Sequence, residues 1–175
     1  IGESLTKYSS TEARIEGINK AINNLTNKLL KKAKSISSNR SKVAKEIEGF
    51  IISSLIDLGI KNGQFKVSIS TREELNEWGI DTVNFLFSAN KGMVLQEMSK
   101  VASGGETSRL MLALKALLAK HLALPCLVLD EIDTGVSGEI AGKIAKILLE
   151  MSEETQLIVI SHLPQVAARA NNHYK

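Results

Sequence analysis

Apolar side chains return along the first third of the chain at alternating intervals of three and four. Ile15, Ile18, Ile22, Leu25 and Leu29 keep this spacing, and Ile36 resumes it after Lys32 takes one seam position. One apolar stripe on a helix is the result, in the heptad pattern of a coiled coil. The serine-rich run SISSNRS at 35–41 is expected to loosen it. Beyond that run Val43, Ile47, Ile51, Leu55 and Leu58 recur mostly at fours, as on a helix packed against a globular body, and Gly59 stands where such a helix ends. A stripe this short calls for a partner helix, from outside this sequence or from another copy of it. The alternative is an exposed apolar stripe.

From Phe65 the period changes to two. Phe65, Val67 and Ile69 alternate with Lys66, Ser68 and Ser70, and a second strand is expected at 82–88. TREELNEWGID between them is polar and reads as a short helical or loop excursion, with Trp78 covering the sheet. A turn at 89–92 leads into a loop and then SGGE at 103–106. Helix is expected at 107–120, buried strand at 127–130, helix at 138–151 and buried strand at 156–161. Strands alternating with helices argue for an α/β fold with a mostly parallel sheet covered on both faces. The organisation expected is an arm and entering helix over residues 1–60 and a globular lobe over 61–175.

Composition narrows the class. A length of 175 residues suits one domain with an appended arm, 43% apolar content fits a globular chain, and no apolar run reaches the ~18–20 residues of a membrane span. The opening IGESLTKYSS is neither a signal peptide nor a natural start, which points to an excised fragment. Cys126 is the sole cysteine, so neither an internal disulfide nor a thiolate cluster is available, and a reducing cytoplasm is the expected setting. Between Lys28 and Lys45 stand seven basic residues and no acid, against a net charge of +3 for the whole chain. That run reads either as a solvated helix face or as a surface for a polyanion; no aromatic residue interleaves it for base stacking.

Candidate chemistry sits in the second half. LVLDEID at 127–133 drives an apolar strand into Asp130 and Glu131, and carboxylates at the carboxyl end of a parallel strand stand where open α/β sheets bind ligands. In a nucleotide-hydrolysing site the first carboxylate holds Mg2+, and the second orients or deprotonates the attacking water. Ser103, Gly104 and Gly105 precede a helix, where backbone N–H groups and a hydroxyl meet phosphate oxygens; an ordinary cap by Ser103 or Thr107 is the competing reading. His162 follows the last apolar strand, level with Asp130 and Glu131 if the two strands are neighbours. His121 and His173 read as a helix-end and a surface residue. No G-x-x-x-x-G-K-[ST] phosphate cradle occurs: the Gly142–Lys143 pair is followed by Ile144 and lacks the upstream glycine.

At these residues the chain resembles ATP-binding-cassette (ABC) ATPases of the P-loop NTPase class: SGGE looks like their signature motif, LVLDE their Walker B strand, and Ser161–His162 their switch-histidine loop. FLFSANKG, VASGGETSRLMLALKALLA, DEIDTGVSGEIAGKIA and ISHLPQVAARANNHYK, which cover most of 85–175, are similar to the RecN family of bacterial DNA-repair proteins, related to the structural-maintenance-of-chromosomes (SMC) group. The amphipathic segment at 11–58 matches only in character, as a returning coiled-coil strand.

The resemblance implies the carboxyl-terminal half of an ABC-type ATPase head with a coiled-coil stub, acting in recombinational repair of DNA double-strand breaks. Its Walker A half would lie elsewhere in the parent polypeptide. Two heads would sandwich two ATP molecules with Mg2+. Ser103, Gly104 and Gly105 would touch the γ-phosphate held by a second head, Asp130 would hold the metal, Glu131 would act as base and His162 as γ-phosphate sensor. Glu106 would help to start the signature helix and Arg109 would line the head interface. The implied partners are the Walker A half, a second head in an ATP-dependent homodimer, and DNA; the implied location is the cytoplasm, at the nucleoid. The parent would be an ATPase and this chain alone inactive. Ser137 stands where many cassette ATPases carry aspartate, and the chain stops at Lys175, soon after the histidine. A head of another SMC-like or cassette ATPase, serving as an interaction module, is the competing class.

Overall fold

The computed structural model of the chain describes residues 2–101, 104–122, 124–130, 132, 135–136 and 138–174, with side chains from residue 11 onward. Helix α1 (Gly2–Asp57) is followed by strands β1 (Gln64–Asn76), β2 (Gly79–Ser88) and β3 (Gln96–Glu97), then a 3-10 turn at Met98–Lys100. Helix α2 (Gly105–His121), strand β4 (Cys126–Asp130), helix α3 (Gly138–Ser152), strand β5 (Gln156–Ile160) and the short α4 (Pro164–Ala167) complete the chain. Two compact units result: Ile1–Val43 with Ile69–Val83, and Ala44–Ser68 with Asn84–Lys175.

In the first unit α1 runs without interruption through SISSNRS, contrary to the loosening expected there. Serine costs a helix only a few tenths of a kcal/mol per residue, too little to break it here, and the Ser41 hydroxyl bonds back to the Ser37 carbonyl at 3.0 Å. The heptad residues stay on the surface: Ile15, Ile18, Ile22, Leu25, Leu29 and Ile36 are each 44–59% exposed. Residues 71–81 are the outer part of a β-hairpin rather than an excursion. The Asn76 side-chain carbonyl accepts a 2.8 Å bond from the Trp78 N–H and Gly79 takes φ +103, which closes the turn over two residues. Trp78 stands at the tip, 68% exposed, and does not cover the sheet. The polar residues here fit a strand because the Arg72 Nε–H donates to the Thr82 hydroxyl at 2.6 Å.

The second unit holds the larger core. Helix α1 ends as its glycine predicts: Gly59, at φ +83, donates to the Ile56 carbonyl at 3.0 Å and Ile60 to the Leu55 carbonyl at 2.8 Å, with Leu55 and Ile60 both buried. Phe65 and Phe85 stack at 5.7 Å, and the Val67 N–H donates to Glu48 at 2.7 Å. Strands β1, β2 and β3 form one sheet in that order, with Leu86 opposite Glu97 and Phe87 opposite Gln96 in an antiparallel pair. β4 and β5 form a separate parallel pair. Helix α3 packs on α2, β5 and α4 and buries Ala141, Ile144, Ala145, Leu148 and Met151. The expectation of two covered faces holds for one of them: Leu129 is buried, while Val128, Ile158 and Ile160 are 50–55% exposed on the other. Alternation along a strand sends those three to one side, and the described residues supply cover on the opposite side only.

Candidate functional site

The parallel register decides where the candidate residues go. Cys126 pairs with Gln156, and the ladder continues to Asp130 opposite Ile160, so the two strands end together. Asp130 closes β4 with an exposed side chain, and His162 stands two residues past Asp130's partner, also exposed. Both therefore project from the carboxyl edge of adjacent parallel strands, the position in which an open α/β sheet presents ligand-binding groups. Between them and α4 the chain is turned by a local bond: the Leu163 N–H donates to the Ser161 hydroxyl at 3.1 Å, and Pro164 opens the short helix.

Gly104 and Gly105 open a different element. Gly104 is the N-cap of α2 in extended conformation and, having no side chain, makes no side-chain cap bond; Ser103, the other cap candidate, lies outside the described residues. The Gly104 carbonyl accepts the first helical bond, from the Ser108 N–H at 3.1 Å, and a Cβ added at Gly104 would meet nothing within 4 Å. Among the described residues the approach to this backbone is open, and the helix directs its positive end there. Glu106 is exposed in the first turn. Arg109 is half-buried, its Nε enclosed and without a hydrogen-bond partner among the described residues. Ser103 and Glu131, expected as γ-phosphate contact and base, lie outside the described residues, as does Ser137. His121 ends α2, and it and His173 are exposed.

Asp130 and the Gly104 turn have the chemistry that a magnesium-bound nucleotide would use. Among the described residues no three His, Cys, Asp or Glu side chains converge into a cage. A single exposed carboxylate at a strand end is what Mg2+ uses when waters and phosphate oxygens complete its shell. The open glycine turn suits an anion and not a cation. Among the described residues no helix is long and apolar enough to cross a membrane.

One polar contact escaped the sequence reading. In the first unit Arg40 reaches the hairpin, donating to Asp81 at 2.9 Å and to the Trp78 carbonyl at 2.8 Å. The Asp81 side chain is fully buried and that of Arg40 is 31% exposed. Burial by itself would raise the Asp81 carboxyl; hydrogen bonds from Arg40 and Ser37 and the Arg40 charge outweigh it and hold the group below its ordinary value. Nothing in TREELNEWGID marks one of its acids as enclosed, so no sequence signal was available.

Comparison with known proteins places the chain among one set of relatives. It is 41% identical over 151 residues to the DNA repair protein RecN of Rickettsia bellii, covering 86% of this chain and 28% of that protein. It is 35% identical over 188 residues to the DNA repair protein RecN of Bacillus subtilis, covering 99% of this chain and 33% of that protein. The chain thus spans about a third or less of the length of the curated relatives it matches. No family model matches it. Among solved structures the fold is similar to an Smc head domain with a coiled coil and joint from Pyrococcus yayanosii, at TM-score 0.61 and 22% identity over 95% of this chain and 30% of the other. It is also similar to an SmcHead bound to the C-winged helix domain of ScpA, at TM-score 0.57 and 21% identity over 82% of this chain and 42% of the other.

Proposed function

This chain belongs to the RecN family, and from that premise we propose that it is the catalytic-edge half of an SMC-like ATPase head acting in recombinational DNA repair. The observation that carries the proposal is the register of β4 and β5, which brings Asp130 and His162 to one carboxyl edge. Bound Mg-ATP supplies the phosphoanhydride to be cleaved. Asp130 would hold the metal through its carboxylate, Glu131 would take the proton of the attacking water, and His162 would donate a hydrogen bond at the terminal phosphate. Ser103, Gly104 and Gly105 would offer a hydroxyl and main-chain N–H groups to the phosphate gripped by a second head, with Glu106 in the first turn of α2. The grip on the inner phosphates comes from a Walker A loop that the 175 residues do not contain.

The exposed apolar row of Val128, Ile158 and Ile160 supports this reading, because it offers the parallel pair a further layer to lie against. Glu131→Gln in the native gene product tests it. Removing the base while keeping the shape should slow ATP turnover by about 10²- to 10⁴-fold with nucleotide affinity retained. Turnover at the wild-type rate would take Glu131 out of the mechanism, and with it the catalytic reading in favour of an interaction module.

A further inference from the structure

The nucleotide reading leaves one strongly charged feature unused. No acidic residue occurs between Glu16 and Glu46, and within the first unit α1 exposes Lys28, Lys31, Lys34 and Lys42. At the helical advance of about 100° per residue these four fall within an arc of about 120°. Between residues 24 and 42 the other side chains on that arc are Asn24, Asn27, Ser35 and Ser38, so the face holds no acid, no apolar group and no aromatic ring. Ala33 and Arg40, which meet the hairpin, lie nearly opposite. The apolar seam of Ile22, Leu25, Leu29 and Ile36 is centred about 150° away by the same helical advance. A helix laid along the seam leaves the lysines uncovered.

Some lysines on these helices stand beside an acid, as Lys20 does with Glu16 at 2.7 Å and Lys143 with Glu139 at 3.1 Å, whereas the face from 24 to 42 contains no acid to neutralise its charge. Among the described residues the four lysines form no ion pair, and Lys28 and Lys34 each stand three positions from Lys31, where like charges repel. An anion laid across them relieves that repulsion. Lysine, asparagine and serine are the donors that proteins direct at phosphate oxygens. Without an aromatic ring the face lacks the stacking platform that single strands use. From residue 24 to 42 it runs for roughly 27 Å, about eight base pairs of duplex.

We propose that this face of α1 is a docking surface for the phosphate backbone of duplex DNA, indifferent to base sequence. The choice of DNA as the polyanion rests on the repair reading above; the charge geometry does not.

The test uses the native gene product without nucleotide. Binding of a labelled mixed-sequence duplex is followed by fluorescence anisotropy across a salt series for wild type, for K28Q/K31Q/K34Q/K42Q, and for K61Q/K66Q/K91Q/K120Q, a control with the same loss of charge. Glutamine keeps helix propensity, and circular dichroism checks that the helix remains. The stripe variant should lose about tenfold or more in affinity, and its log–log salt slope should fall by roughly 0.9 for each phosphate contact removed; the control should do neither. The Lys→Arg version of the same four positions should bind as wild type does, and DNA-free ATP turnover should stay unchanged in all variants. Unchanged duplex affinity in the stripe variant, an equal loss in the control, or a loss in the Lys→Arg variant would overturn the proposal. So would an intact duplex affinity accompanied by loss of binding to anionic lipid vesicles or to an acidic peptide. The catalytic reading fails separately, on the turnover of Glu131→Gln.

Discussion

Gly59 shows how much one residue can determine. Its φ of +83 lies in the left-handed region, and an added Cβ would come within 2.5 Å of the Ile140 Cδ1 atom. Alanine there meets both penalties, backbone strain and a displaced core side chain at the start of α3. Gly59→Ala should cost about 2 kcal/mol in urea unfolding. Gly17, in the same helix with nothing within 4 Å, should instead tolerate alanine with a small gain in stability. Gly59 was legible in the sequence because a lone glycine after a run of apolar fours has few other uses. The exposed state of Trp78 was not legible: a tryptophan is expected to bury its ring, and only the two-residue turn leaves this one outside.

At the scale of elements, the contact from Arg40 to the hairpin ties two segments of the first unit that lie about forty residues apart in the chain. Because the Asp81 pKa is lowered in the folded state, its contribution to stability is complete above the ordinary carboxylate value and is lost as pH falls through the lowered one. Asp81→Asn should therefore cost about 1–2 kcal/mol near neutrality, the lower end reflecting the part-exposed arginine, and progressively less toward pH 3. Urea unfolding read by the single tryptophan, Trp78, reports on this hairpin directly. A cost that does not change with pH would show that the ion pair is not the source. The strands themselves divide into two kinds. Cys126–Asp130 and Gln156–Ile160 were legible because their apolar runs are continuous, whereas residues 71–81 hid a hairpin because two solvent-facing sides erase the alternation on which a strand is recognised.

For the whole molecule, the question is what a partner must bring. Among the described residues nothing lies within 4 Å of a Cβ added at Gly104, and in the proposed sandwich a second head's phosphate fills that space. Ser103→Arg puts bulk and charge in that approach, so in the native gene product it should abolish ATP-dependent pairing in sedimentation while each head still binds nucleotide. Pairing that persists would remove the turn from the interface. The order of SGGE, Asp-Glu and Ser-His was readable in advance because each motif has its own local pattern. The register that joins Asp130 to His162 was not, since no local pattern specifies which strands become neighbours.

The parallel pair of β4 and β5 carries a further consequence. Its exposed row of Val128, Ile158 and Ile160 lies on two strands that, among the described residues, each have a single ladder neighbour. Such a surface is as receptive to a wrong chain as to the right one. Taken by itself, this 175-residue chain should therefore self-associate increasingly as its concentration rises.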